Sequence, residues 1–142
     1  MGNEREARQQ ELARLMLRKA QQDLDALTAL RDNRKIADEI VGFHAQQTIE
    51  KALKATLTRL GIQYDFTHDL AALFEQVEEA GVKPPASLTE VEELTAFAVQ
   101  FRYALYDEDE GLDRQAKTGL AEKFIGWAQD VIEKPLGNEA IE

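Results

Sequence analysis

The stretch from Gly42 to Ala55 reads GFHAQQTIEKALKA and decides the fold class of this chain of 142 residues. Small and aliphatic side chains recur in it three and four positions apart, which places them on one side of an α-helix. The residues on this side are small enough to let another helix approach closely: Ala37, Val41, Ala45, Thr48, Ile49, Ala52, Leu53, Ala55 and Thr56. The other side is polar, so the pattern predicts an amphipathic helix with one packed face.

Glycine and proline divide the rest of the chain into segments with the same helical period. Gly61 ends the second helix as a C-terminal cap, and the Pro84–Pro85 pair closes the third. The stretch Ser87-Leu-Thr-Glu90 matches a capping box and begins the fourth. We predict five helices, at about 3–31, 34–60, from an N-cap at Thr67 to Gly81, from 87 to the acidic loop 107–111, and 113–134.

The apolar stripes of these helices form the predicted core. They comprise Ala13, Leu17, Ala20, Leu24, Leu27 and Leu30; Leu70, Leu73, Phe74 and Val77; Val91, Leu94, Ala98, Phe101 and Leu105; and Leu120, Phe124, Trp127 and Val131. Short connections between long helices favour antiparallel packing, so we predict an all-α, antiparallel up-and-down helical bundle. The chain is predicted to be one domain, 1–142, with its core at about 10–134 and a frayed tail at 135–142.

The composition excludes several classes of function. The net charge of −10 opposes non-specific adhesion to nucleic acid or to an anionic membrane, although it allows a local basic pocket. The chain contains no cysteine, which excludes disulfides and thiolate zinc sites. A charged N-terminus without an apolar run predicts a cytoplasmic protein with no membrane segment. We expect neither a cofactor nor a metal ion.

The polar side of the second helix carries the first candidate site. His44, Gln47, Lys51 and Lys54 form one ridge, and Gln46 and Glu50 form the ridge beside it. Glu50 and Lys54 are an i,i+4 pair of the favourable orientation. One interpretation is a solvated face with intrahelical ion pairs, which these residues alone favour. The other is a polar groove that offers two ammonium groups, two amides and an imidazole to a phosphate and a base.

Two further candidates lie outside this helix. His68, in the stretch Thr67-His-Asp-Leu70, belongs either to a polar first turn or to a site in which a neighbour orients the imidazole. Arg102, followed by Tyr103, adjoins a buried stripe and must find an anion or a carbonyl. Its partner is either a structural carboxylate or a bound phosphate. Neither histidine has a partner at metal-ligand spacing.

Taken together, these segments resemble the HEPN family (higher eukaryotes and prokaryotes nucleotide-binding). The resemblance is carried by the stretch from His44 to Lys54, by Thr67-His-Asp-Leu70, by Arg102-Tyr103, and by Ala20-Gln-Gln-Asp-Leu24 on the first helix. It implies an antiparallel helical bundle that is often dimeric and is associated with nucleotide or RNA binding. It also implies a possible partner, because many members stand beside a minimal nucleotidyltransferase in a toxin–antitoxin-type module.

Catalytic members of the family carry an arginine, four to six further residues and then a histidine, as a metal-independent ribonuclease site. In this chain Asp107, Glu108 and Asp109 occupy the positions after Arg102, and carboxylates there would repel an RNA phosphate. We therefore predict a non-catalytic binding protein, for which the resemblance and the polar ridge together indicate the ligand-binding residues. These are His44, Gln47, Glu50, Lys51, Lys54, His68, Arg102 and Tyr103.

Each predicted contact has a chemical role. Lys51 and Lys54 would meet phosphate, Gln47 a base or ribose edge, and Arg102 a phosphate or a carboxylate of the partner. Two alternatives stay open. The first is a ribonuclease that uses His44 or His68 with Arg102. The second is a homodimeric interaction module that pairs through the apolar face of one long helix.

Overall fold

Five helices make up the computed structural model, which describes residues 2–64, 67–103 and 111–136, without the side chains of residues 2 and 96–103. They are α1 (Gly2–Leu30), α2 (Asp38–Arg59), α3 (Leu70–Glu79), α4 (Leu88–Tyr103) and α5 (Arg114–Glu133). The described residues contain no β-strand. The prediction of an all-α bundle of about five helices is confirmed.

Helix α2 lies at the centre of the bundle and packs against all four of the others. Its small residues are inaccessible to solvent, among them Ala45, Ala52 and Ala55. The hydroxyls of Thr48 and Thr56 are also buried, and they donate to the carbonyls of His44 and Ala52, four residues earlier in the helix. The predicted packed side of this helix is therefore confirmed, apart from Ala37, which is exposed and precedes the helix.

Most of the predicted core residues are buried. Those on α3 are all inaccessible or nearly so, and Val91, Leu94, Leu120 and Phe124 are buried as well. Leu17, Leu30 and Trp127 are partly buried against the core. The predictions for Ala98, Phe101 and Leu105 fall outside the described side chains. Among the described helices, none combines the length and the apolar character needed to cross a membrane.

The C-terminal cap predicted at Gly61 is confirmed. Gly61 has φ +74°, a left-handed conformation that favours glycine, and its N–H donates to the carbonyl of Thr58. The N–H of Ile62 reaches back to the carbonyl of Leu57 at 2.9 Å. These two bonds form a Schellman motif, which satisfies carbonyls that the end of α2 would otherwise leave unpaired.

Two predicted helix starts were wrong. Helix α3 begins after Asp69, not Thr67, because the Asp69 carboxylate accepts from the N–H groups of Ala71 and Ala72 and so caps the helix two residues later. Helix α2 begins at Asp38 rather than at residue 34. The predicted cap at Ser87 is confirmed, since its hydroxyl accepts from the N–H of Glu90 at 3.2 Å.

Arg114 explains why α2 begins late. This first residue of α5 donates to the Asp38 carboxylate through Nε at 2.7 Å and to the carbonyl of Ile36 through Nη2 at 2.6 Å. Its Nη1 lies within hydrogen-bonding distance of three more carbonyls, those of Leu30, Arg31 and Asn33. The carbonyls between the end of α1 and the start of α2 therefore accept hydrogen bonds from one guanidinium rather than from the N–H groups of a longer helix. We call this assembly the Arg114 clamp.

Two other arginines join α5 to the rest of the bundle. Arg59, which is 3% exposed, donates to the carbonyls of Ile132 and Lys134 and so caps the end of α5 from α2. Arg14 on α1 forms a two-pronged ion pair with Glu133, with N–O distances of 2.7 and 2.5 Å. That hydrogen-bonded pair lowers the pKa of the Glu133 carboxyl below its ordinary value.

Candidate functional site

The polar side of α2 is the candidate site, and a neighbouring element contributes to it on each flank. We define the polar face as His44, Gln47, Glu50, Lys51 and Lys54. All five residues point away from the packed side, as the helical period predicted, but Glu50 is only 3% exposed. The face is therefore more deeply set than the solvated helix surface that the residues alone favoured.

An aspartate from α1 organises the first half of this face. Asp23 Oδ1 lies 3.1 Å from Nδ1 of His44, and Asp23 Oδ2 accepts a 2.5 Å hydrogen bond from Nζ of Lys51. The Asp23 side chain is 13% exposed, so its charge is stabilised by these two partners more than by water. We call these three residues the Asp23 cluster.

Glu50 organises the second half in the same way. Its carboxylate accepts from Nζ of Lys54 at 3.0 Å and lies 3.0 to 3.1 Å from Nδ1 of His68. His68 precedes α3 and is 83% exposed, so the imidazole projects from the surface with only this edge tied to Glu50. Lys54 also lies over the ring of Tyr64, 5.9 Å from the centroid. We call Glu50, Lys54 and His68 the Glu50 cluster.

The two clusters change the expected electrostatics of the site. Lys51 and Lys54 are not bare cations, because each is paired with a carboxylate. With neutral imidazoles, the two carboxylates and two ammonium groups of the clusters sum to zero charge. A phosphate would therefore join an existing network of ion pairs rather than neutralise an isolated positive patch.

The same pairing fixes the chemistry of both imidazoles. A carboxylate only accepts hydrogen bonds, so Nδ1 of His44 and of His68 must carry the proton. In a neutral ring, Nε2 is then the acceptor and is directed away from the carboxylate. Each cluster thus presents an imidazole of defined tautomer, and this geometry suits hydrogen bonding to a ligand as well as proton transfer.

An exposed aromatic ring lies on the same side of α2. Phe43 is 50% exposed, and its ring contacts that of His44 edge to face, with 5.4 Å between centroids. Phe43 precedes Gln47 by four residues and Glu50 by seven, so it shares their side of the helix. Ile40, one turn earlier, is also exposed.

The sequence predictions omitted both Phe43 and Asp23. The sequence indicated Phe43 by its place on the polar side of α2, where a large apolar side chain has no other apolar side chain of the same helix to pack against. The signal for Asp23 was weaker. It is a charged residue inside the apolar stripe of α1, between the buried Ala20 and Leu24. An acidic residue at such a position needs a partner from another helix.

The described contacts bring neither Arg102 nor Tyr103 to the polar face, whereas Gln47 lies within it. Gln47 is partly buried, one turn beyond Phe43. Arg102 and Tyr103 end α4, and their side chains lie outside the described part of the structure, as does the acidic stretch 107–109. Within the described ranges, no three histidine, aspartate or glutamate side chains are grouped as metal ligands would be.

In a comparison with protein-family models, the model of the HEPN domain matches residues 13–137. The chain belongs to the HEPN family. The matched region contains both clusters and Phe43, and the membership confirms the resemblance drawn from the α2 and α3 motifs. The HEPN fold is a nucleotide-binding and ribonuclease-type fold. Comparisons with curated proteins and with solved structures gave no match.

Proposed function

We propose that this HEPN protein binds a nucleotide or a short single-stranded RNA through the polar face of α2, without cleaving it. The proposal rests on the arrangement of one imidazole and two ammonium groups along the polar face of α2, with the His68 imidazole beside them, all held by Asp23 and Glu50. Side chains held in this way lose little conformational freedom when a ligand binds.

The ion pairs leave the lysines able to bind phosphate. An ammonium group has three N–H donors, and the hydrogen bond to Asp23 occupies one of those on Lys51. The same holds for Lys54 and Glu50. Lys51 is the more accessible of the two, at 35% against 14% exposure, so we assign it the closer phosphate contact. Gln47 would then face the ribose or the base edge.

The absence of catalysis is inferred from the sequence. The family's ribonuclease motif needs a histidine four to six residues after an arginine, and acidic residues occupy those positions after Arg102. We retain Arg102 and Tyr103 as proposed ligand contacts at the end of α4. Arg102 would add a bidentate phosphate contact that a lysine cannot make.

Calorimetry with ATP, GTP and an eight-nucleotide RNA tests this proposal. We expect the double variant Lys51→Ala/Lys54→Ala to bind at least tenfold more weakly than wild type. The matched control is Lys83→Ala/Lys123→Ala, which removes the same charge from exposed positions outside the site. Wild type that fails to bind any of the three ligands at millimolar concentration would contradict the proposal, as would an equal loss in the control.

A metal-independent ribonuclease is the second candidate, and the carboxylate-held imidazoles favour it. Nε2 of His44 or His68 would take the proton of a 2′-hydroxyl as its oxygen attacks the adjacent phosphorus. The bond from phosphorus to the 5′-oxygen would break, and that oxygen would leave with a proton from solvent, which gives a 2′,3′-cyclic phosphate and a 5′-hydroxyl. Incubation of labelled RNA in the presence of EDTA tests this activity. Cleavage that is lost in His44→Ala or His68→Ala, with RNA binding retained, would replace the binding proposal by the enzymatic one.

We also propose two protein contacts. The family resemblance supports a minimal nucleotidyltransferase as partner in a toxin–antitoxin-type module, and the net charge of −10 favours a basic surface on that partner. Exposed Leu12 and Leu15 on α1 support a homodimer. Co-purification with a minimal nucleotidyltransferase, where a neighbouring gene encodes one, tests the first. Sedimentation of wild type and Leu12→Glu at micromolar concentration tests the second.

A further inference from the structure

We propose that Phe43 is the platform on which the base of the ligand stacks. This inference rests on the proposed function, because it assigns the base end of the same site. It also defines the ligand class, which is a nucleotide with an unpaired base, free or as one unit of a single strand. Recognition of that kind combines an aromatic face with nearby cationic donors.

The exposure of Phe43 is the first argument. Phe74 and Phe124 are buried at 2% and 0% exposure and fill the core, whereas Phe43 leaves half of its surface in water. Among the described residues, only four large apolar side chains are exposed, and Phe43 is the one aromatic side chain of the four. Packing within the bundle therefore does not account for an aromatic residue at this position.

The order of side chains along α2 is the second argument. Phe43, Gln47 and Lys51 follow one another at intervals of four residues, or about 6 Å along the helix axis. An aromatic face, an amide and an ammonium group thus succeed one another in the order of base, ribose and phosphate in a nucleotide. A ligand lying along α2 would meet all three without any movement of the backbone.

The neighbouring imidazole is the third argument. Phe43 contacts the ring of His44, and Asp23 holds that ring through Nδ1. The contact restricts the Phe43 side chain before any ligand arrives, which lowers the entropic cost of stacking. The Asp23 cluster would then serve both ends of the ligand, since Lys51 meets the phosphate and His44 supports the platform.

Calorimetry with two pairs of ligands tests the platform. ATP carries a base, and tripolyphosphate carries the same number of phosphates without one. An eight-nucleotide oligoadenylate and its abasic counterpart form a second pair of the same design. The variants are Phe43→Leu, which removes the aromatic face, and Phe43→Trp, which keeps it. Gln115→Ala is the control, because Gln115 is an exposed residue of α5 that lies outside the site and outside the proposed dimer contact.

We expect Phe43→Leu to weaken binding of ATP or oligoadenylate by about five- to 150-fold, the range measured for loss of one stacked base. Binding of the base-free ligands should be unchanged. Phe43→Trp should bind the base-bearing ligands at least as tightly as wild type, and Gln115→Ala should match wild type with all of them.

Three results would overturn the platform while leaving the proposed function intact. They are wild-type affinity for ATP and oligoadenylate in Phe43→Leu, an equal loss with base-bearing and base-free ligands, or an equal loss in Gln115→Ala. Conversion of a dimer to a monomer by Phe43→Leu, with unchanged ATP binding, would assign Ile40 and Phe43 to a protein interface instead. Wild type that binds none of the base-bearing ligands would instead overturn the proposed function.

Discussion

The Arg114 clamp and the polar face of α2 both place cations against carboxylates, but they use the donors of those cations differently. Arg114 makes five hydrogen bonds, four of them to backbone carbonyls of the turn before α2. Lys51 and Lys54 each give one hydrogen bond to a carboxylate. A cation that spends most of its donors on backbone carbonyls holds the fold together, whereas one that spends a single donor on a carboxylate is able to hold a ligand.

The largest effect should come from breaking the clamp. Arg114→Ala removes one donor from each of four backbone carbonyls and leaves Asp38 with only the N–H of Leu112 among its described donors. We expect a loss of about 3–5 kcal/mol in the free energy of unfolding. Arg114→Lys should recover only part of this, because an ammonium group lacks the planar fork. Urea denaturation measures both. A loss under about 1 kcal/mol would show that the clamp does not hold the fold, since an exposed ion pair contributes that little.

Glu50 should have the next largest effect, because it is the more buried of the two carboxylates at the site. Glu50→Gln removes the counter-charge of a Lys54 that is itself mostly buried, and we expect destabilisation of about 1–3 kcal/mol. Asp23→Asn should cost less, since the Asp23 side chain is more exposed. Thermal denaturation of the two variants gives their order, and a larger cost for Asp23→Asn would contradict this account of burial.

Lys51→Ala should have the opposite effects to Arg114→Ala, with little change in stability and a large loss of ligand affinity. Its side chain is 35% exposed, so we expect a change in unfolding free energy of no more than about 1 kcal/mol. Ligand affinity should nevertheless fall about tenfold or more, as for loss of one charge-assisted hydrogen bond to phosphate. Urea denaturation and calorimetry on one preparation separate the two effects. Strong destabilisation with unchanged affinity would make Lys51 a structural residue like Arg114.

The Arg14–Glu133 pair is the most exposed of these ion pairs, and its loss should have the smallest effect on stability. Arg14 lowers the pKa of Glu133, so the pair stabilises the fold at pH values above the ordinary 4.5 of that carboxyl. This contribution is lost as the pH falls through the lowered pKa. At pH 7 the midpoint of urea denaturation should therefore be slightly higher for wild type than for Glu133→Gln. At strongly acidic pH the two midpoints should be equal. A difference that grows on acidification would contradict this assignment.

The fold was largely predictable because its signals are local. The helical period of Gly42–Ala55, the left-handed cap at Gly61 and the hydroxyl cap at Ser87 each depend on residues within a few positions of one another. The errors arose where a residue distant in sequence competes with the local helical hydrogen bonds. The start of α2 was predicted at residue 34 because the wheel ignores Arg114, which lies 76 residues from its partner Asp38.

The site was less predictable for the same reason. A wheel drawn on α2 found His44, Lys51 and the Glu50–Lys54 pair, but it contains no information about α1. Asp23 therefore went unnoticed, and with it the neutralisation of Lys51. The placement of His68 beside Glu50 depends on how the chain returns from α2 to α3, which a helical period does not specify.

The central position of α2 has a consequence for amide hydrogen exchange. Because α2 packs against every other helix, its amides should open only with global unfolding and exchange more slowly than those of α3. Four of the proposed ligand contacts, Phe43, Gln47, Lys51 and Lys54, lie on this most protected segment rather than on a loop. Local opening would therefore rarely disrupt the site, and a bound ligand should raise the protection of α2 by the same factor as its effect on global stability.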